Sequence, residues 1–361
     1  MNLPEMGPMV CLILFAIGIT LCIFIVFVVA MSKNKCSKNV IKSQLIGINS
    51  TQTSLLNTLI CNFFIKSSYN SCATGNFSNG WVNTCALEYV IKYGCRVLDF
   101  EIYSVGGAAV VATSNSVKNN EKGTYNSLPV FQVFETIKNK AISMSMSTAN
   151  CPNPSDPLFL HFRIKTEQQS IYDELANHIV EYFGSNLLSP VYNIVNASGN
   201  FCNTMKLGDL MGKVIIIVDK LDTTLESSKL GDLTNLIGNG NYFHSWRYND
   251  VAFSTNDDIS DFNASGNITF CAPNLSMYPK NYSTVDTMKK GVQMSALCFQ
   301  KNDVFLQTYN ALFEQQKSAF IPKTTSAYTP NNVPEIDSNP QLNTENVNAT
   351  GDQDLEFNDD S

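Results

Sequence analysis

No C-x-x-C pair occurs among the eleven cysteines, and their scattered positions match no zinc or iron–sulfur ligand spacing. Also absent are the G-x-x-x-x-G-K-[ST] phosphate loop, the dinucleotide G-x-G-x-x-G turn, H-E-x-x-H and G-x-S-x-G, so the usual nucleotide, zinc-protease and serine-hydrolase sites have no residues to build them. Charged residues make up only 15% of the chain and form no basic stripe, which argues against a nucleic-acid partner. Lys, Arg and His stop at Lys323, and the last 38 residues carry a net charge of −8. Because the whole chain is −7, its acidity belongs to this tail, and what precedes it sums to +1. Residues 321–361 are expected to be disordered, since so polar a segment buries too little apolar surface to order itself.

What is present begins with an apolar run. Residues 9–31 contain no charge, and a helix needs roughly 20 residues to cross a hydrocarbon core about 30 Å thick. The run is therefore expected to be a membrane-spanning helix. A cleaved signal peptide is disfavoured by the acidic Glu5, the lack of a leading Lys or Arg and the poor small-residue pattern at Val28–Ala30. Residues 1–8 are then a short N-terminal segment and 32–43 a basic juxtamembrane linker, whose Lys33, Lys35, Lys38 and Lys42 favour a cytoplasmic C-terminal domain. Eight N-x-S/T triplets point the other way, but Asn supplies 41 of the 361 residues, enough to produce about seven such triplets by chance. The cysteines are open to two readings, buried thiols or a few disulfides.

Residues 44–320 have the composition of one folded domain, a size normal for a single α/β barrel. Strands are expected at 95–103, 109–112, 158–164 and 214–218, the last an uninterrupted VIIIV. Helices are expected at 128–142 and 167–183, with Gly184 as a stop. The alternation favours an α/β layer or barrel. Elements beyond about residue 240 are not placed by periodicity.

Three stretches together resemble the X region of phosphatidylinositol-specific phospholipase C. They are NFFIKSSYNSC at 62–72; GCRVLDFEIY at 94–103, with a V-V stretch at 110–111 and the helix SLPVFQVFETIKNKAI; and PLFLHFRI at 157–164, followed by LMGKVIIIVDK at 210–220. The resemblance covers roughly 62–220. It implies a distorted (β/α)8 TIM-type barrel, here joined to an N-terminal transmembrane helix. It further implies phosphodiester chemistry run by two histidines and a calcium ion at the C-terminal ends of the strands.

The motif positions depart from that chemistry. The first histidine position is Tyr69 and the second falls near Thr113. Of the metal positions, Asn70 remains, the acidic pair becomes Asp99 and Glu101, and the third acidic position is Arg163, a cation that would repel or replace Ca2+. Ile217 and Asp219 stand near the places of substrate-contacting lysines. Tyrosine, with a pKa near 10, is a poor base at neutral pH and threonine has no useful proton-transfer range. No cofactor is therefore expected, and Ca2+ is disfavoured.

Period-2 alternation puts Asp99 and Glu101 on one face of a strand, and His161 and Arg163 on one face of another. Two readings follow for this quartet: a relic anion site using His161 and Arg163, or an ion-paired network in which Arg163 offsets the carboxylates in place of a metal. His178 is expected to be partly exposed on a helix. His244, among the aromatics of NYFHSWRYND, suits ordinary packing better than a lid or headgroup contact. The preferred overall reading is a membrane-anchored phospholipase C-like module without turnover, binding a phospholipid headgroup or an envelope protein, in a setting that would suit a large DNA virus and a host or virion membrane. The alternative is a phosphoric diester hydrolase acting on phospholipid headgroups through a site rebuilt around Asp99, Glu101, His161 and Arg163.

Overall fold

Continuous apolar runs in Leu158–Ile164 and Val214–Asp219 suit strands covered on both faces, and the computed structural model seats them side by side in a parallel sheet. It describes residues 7–33, 47–143, 151–194, 201–221, 223–254 and 257–325. Within these the strands are β1 (Phe63–Ile65), β2 (Ser67–Ser68), β3 (Val97–Val105), β4 (Ala108–Ala112), β5 (Leu128–Pro129), β6 (Leu158–Ile164), β7 (Val214–Asp219), β8 (Leu236–Ile237), β9 (Phe243–Arg247), β10 (Ile268–Ala272), β11 (Met294–Leu297) and β12 (Phe320–Pro322). Eight of them form a parallel array in the order β8-β7-β6-β3-β2-β11-β10-β9. The end strands β8 and β9 approach each other without a ladder of hydrogen bonds, so the barrel is nearly closed. β4 is not a barrel stave; it folds back antiparallel on β3 after the Gly106-Gly107 turn.

Alternation sorts the strand residues into two cores. Leu98, Phe100, Ile102, Leu160, Phe162, Ile164, Ile216 and Val218 face outward and pack beneath Val133, Phe134, Ile171, Leu175, Ile179 and Phe183 of the surrounding helices. Val97, Phe159, Ile215 and Ile217 face inward and join Phe63, Ile65 and Phe320. The last three come from β1 and β12, which pair antiparallel and plug the floor of the barrel. Each fully buried side chain of this kind contributes about 1.5–3 kcal/mol. The apolar floor leaves the opposite, C-terminal end of the strands as the place where polar residues gather.

The expected strands and the helix at 167–183 lie within a few residues of the observed elements, although the helix predicted over 128–142 is α-helical only for Val130–Ile137 and continues as a wider turn to Ile142. The unplaced region beyond 240 supplies β9, β10 and β11.

The expected membrane anchor is corrected. Residues Pro8–Lys33 do form a helix, but among the described residues no helix is long and apolar enough to cross a membrane. Its longest stretch with every side chain described, Leu12–Phe27, is 16 residues, or about 24 Å against a core of about 30 Å; the side chains of 28–33 lie outside the described set. The single-pass topology, the cytoplasm-facing orientation and the membrane localisation fall with it, and no viral signal accompanies the fold. Most of the linker at 32–43 and of the tail at 321–361 lies outside the described residues.

Cysteine usage is mixed. Cys61, Cys72, Cys95, Cys151, Cys202, Cys271 and Cys298 are buried free thiols, and Cys85 is disulfide-bonded. Among the N-x-S/T asparagines, Asn263 accepts from Thr269 and donates to the Lys290 carbonyl, while the Asn281 amide is taken up by the backbone of Cys298 and Lys301. These two side chains are internal ties in the fold.

Candidate functional site

Parallel register aligns Asp99 with His161 and Glu101 with Arg163 across β3 and β6, and Arg163 with Asp219 across β6 and β7. All five side chains therefore share one storey of the barrel interior, above the apolar floor. Asn70 joins them from the turn after β2, where it holds a left-handed backbone (φ 47°) that asparagine tolerates better than most residues.

Arg163 is the hub. Its Nε and one terminal nitrogen take both oxygens of Asp99 at 2.9 and 2.8 Å, the other terminal nitrogen takes Glu101 Oε1 at 2.7 Å, and a fourth bond reaches Asn70 Oδ1 at 2.8 Å. A planar fork on carboxylates is the strongest form of such pairing. The second Glu101 oxygen accepts from Tyr103 Oη at 2.5 Å and from the Ser114 amide at 3.0 Å. Asp99 receives a further bond from the Asn70 amide at 2.9 Å. Burial works to raise the Asp99 pKa, but Arg163 and then His161 outweigh it and hold the carboxyl well below the usual range.

His161 is fully buried, with Nδ1 3.0 Å from Asp99 Oδ1 and Nε2 3.0 Å from Asp219 Oδ1. Burial opposes its charge, yet Asp219 first and Asp99 second push its pKa up to about 9, so the ring is a cation at neutral pH. Neither contact has the alignment of a good hydrogen bond; they act as ion pairs, with the ring edge-on to Phe270 at 4.4 Å. Asp219 also accepts from Ser245 Oγ at 3.0 Å. Gly238 makes room for that carboxylate, because a Cβ at this position would collide with Asp219 Oδ1.

The two positions that the resemblance assigns to proton transfer are occupied by structural hydroxyls. The Tyr69 ring lies 4.5 Å beneath the Arg163 guanidinium, and its hydroxyl accepts from Arg247 at 3.0 Å. Burial pushes the Tyr69 phenol up, only partly offset by the two arginines. Thr113 is buried away from the quartet and donates to the Phe77 carbonyl at 2.9 Å. His178 is half-buried beside Glu181 on its helix, and His244 stacks on Phe262 at 4.1 Å on the outer side of β9.

A calcium ion does not fit these residues. The oxygens of Asn70, Asp99 and Glu101 that would face it are already taken by Arg163. Among the described residues no cluster of His, Cys, Asp and Glu could hold a metal ion.

Two residues of the mouth carry no signal in the motifs. Arg247 ends β9, and its Phe243, Ser245, Arg247 alternation is the only hint that it faces inward; it donates to Tyr69 Oη and to the Pro273 carbonyl. Lys165 follows β6 directly and lies within Coulombic range of Glu101, Arg163, Arg247 and Asp219.

The comparisons with known proteins agree with this architecture. Residues 56–220 match the model of the phosphatidylinositol-specific phospholipase C X domain. No match is found among the curated proteins. Among solved structures, PLC21 of S. officinalis superposes with a TM-score of 0.61 at 17% identity, over 81% of this chain and 40% of that one. PLC21 of L. pealei gives a TM-score of 0.59 at 17% identity, over 74% of this chain and 37% of that one. The chain thus spans well under half the length of either. By its fold, the barrel is a phospholipase C X-domain barrel of the phospholipase C-like phosphodiesterase type.

Proposed function

We propose that this barrel is a phospholipase C-like module that does not hydrolyse phosphodiesters by metal-assisted acid–base chemistry. One observation carries the reading: the Arg163 guanidinium takes the oxygens of Asn70, Asp99 and Glu101 together, so a side chain of the protein supplies the positive charge that a metal would bring. The surroundings agree with it. Tyr69 and Thr113 have no proton-transfer range near neutral pH, and both hydroxyls are committed to other partners. His161 is a poor substitute base, because it is fully buried and held charged between two carboxylates. The hydrolase reading has no group left that titrates near pH 7 and reaches the mouth.

The test is release of water-soluble inositol phosphate from phosphatidylinositol by the purified chain, with Ca2+ and with a chelator. The expected result is no release above the protein-free blank in either condition. Release stimulated by Ca2+ and abolished by Asp99→Asn would overturn the proposal.

A further inference from the structure

We propose that the C-terminal mouth of the barrel holds a small tetrahedral oxyanion, free phosphate or a phosphate monoester group, between Lys165 and Arg247 and without a metal ion. The inference rests on the reading of Arg163 as the built-in cation and asks what the remaining charge is for.

The charges do not balance. The interior carboxylates are Asp99, Glu101 and Asp219, and His161 and Arg163 are consumed against them through contacts of 2.7–3.0 Å. Lys165 and Arg247 then stand at the rim of this lattice, and neither has a carboxylate ion-pair partner among the described residues. With both added, four cations face three anions in one small volume. Lys165, Arg163 and Arg247 lie close enough to repel one another, and together with burial they press Lys165 toward its neutral form. An arrangement that gathers like charges without a counter-ion favours an anion entering from solvent.

The hydrogen-bonding inventory is unbalanced in the same sense. Arg247 has five N–H donors, and one terminal nitrogen serves both Tyr69 Oη and the Pro273 carbonyl, which leaves the rest of the fork unused. The Lys165 ammonium makes no hydrogen bond within the described residues, and it is half-buried rather than extended into solvent. Deeper in, Asn70 Nδ2 is a buried donor with no acceptor, beside the amide oxygen that serves Arg163. Donors outnumber acceptors from the floor of the mouth to its rim. A tetrahedral oxyanion brings several acceptor oxygens and negative charge together, whereas a neutral sugar or an amine would leave the positive charge unmatched.

These are also not the positions at which the quoted motifs would place ligand contacts, since Ile217 and Asp219 stand there and Asp219 is an anion bound to His161. The proposed site is displaced toward β9 and the turn after β6. Tyr69 fixes its geometry, because the ring stacks under Arg163 while its hydroxyl holds Arg247 in place.

The experiment is calorimetric titration of the full chain with inorganic phosphate in a chelator, repeated for Arg247→Gln and Lys165→Met, with thermal melts in phosphate-free buffer to show that both variants are folded. Flotation with phosphatidylcholine vesicles, with and without phosphatidic acid, separates a lipid-borne phosphate from a free one. Phosphate binding weakened by about tenfold or more in each variant supports a free oxyanion, the size expected for losing a charged hydrogen-bond donor. Flotation that requires phosphatidic acid and is lost in both variants supports a headgroup. No binding in either arm, or binding unchanged in folded variants, overturns the oxyanion site and leaves the reading of Arg163 intact. Phosphate binding that appears only when Ca2+ replaces the chelator overturns both.

Discussion

Removing the guanidinium of Arg163 isolates two carboxylates in the protein interior. Asp99 is 0% and Glu101 1% exposed, and breaking a buried ion pair by deleting one partner costs about 3–5 kcal/mol. For a domain of this size each kcal/mol moves the melting midpoint by roughly 2–4 °C, so Arg163→Ala should melt roughly 6–20 °C below the native chain in a chelator at pH 7. The alanine also uncovers Asn70 Oδ1 and the two carboxylates as a group of oxygens around the vacated space, with water able to complete a calcium shell. Calcium at about a hundred times its dissociation constant then restores about 2.7 kcal/mol. Paired thermal melts in chelator and in Ca2+ should show a large calcium-dependent rise for Arg163→Ala and none for the native chain. The variants also differ in acid: protonating the exposed pair relieves repulsion in Arg163→Ala, while in the native chain it breaks contacts. If Arg163→Ala melts with the native chain, or if the native chain itself gains stability from Ca2+, the guanidinium does not hold the position argued for it.

The other outcomes concern pH and burial. His161 has a folded pKa raised to about 9 from an ordinary value near 6.5, so its contribution of about 3 kcal/mol is complete below pH 6.5 and lost as pH rises through 9; urea denaturation at pH 6.5 and 10 should show that loss, and His161→Gln should flatten it. Asp99 is shifted the opposite way, so its contribution is present above pH 4 and disappears as the solution is acidified below that, a limb that Asp99→Asn should remove. Lys66 is fully buried with no hydrogen-bond partner for its ammonium, between the rings of Tyr93 and Phe313. Burial lowers its pKa to about 8, which makes the lysine destabilising below pH 8 by about 3 kcal/mol relative to the unfolded chain and progressively less so as pH climbs toward 10.5. Lys66→Met should therefore raise the melting midpoint at pH 7 and leave it nearly unchanged near pH 10.

Several features of this molecule are local properties of the chain and were open to reading from it. The VIIIV and LFLHFRI runs specify buried strands because nothing in them suits a half-wet surface, and two-residue periodicity alone puts Asp99 with Glu101 and His161 with Arg163. The substitution of Tyr69, Thr113 and Arg163 into a phosphodiesterase pattern is likewise written in the residues. Pairing is not. Which carboxylate meets which cation depends on the parallel register of β3, β6 and β7, and a shift of one residue would turn every one of these side chains out of the barrel. Arg247 and Lys165 were silent because they lie far apart in sequence and meet only at the rim, and β2, β8 and β11 are too short for any periodicity to declare them. The apolar run at 9–31 shows the reverse case: hydropathy alone specified a helix, but its role as a span was not upheld among the described residues. Sequence determines what each face of a strand offers, since that follows from local alternation. Only the closed fold decides which offers meet, since contact is a property of the whole barrel.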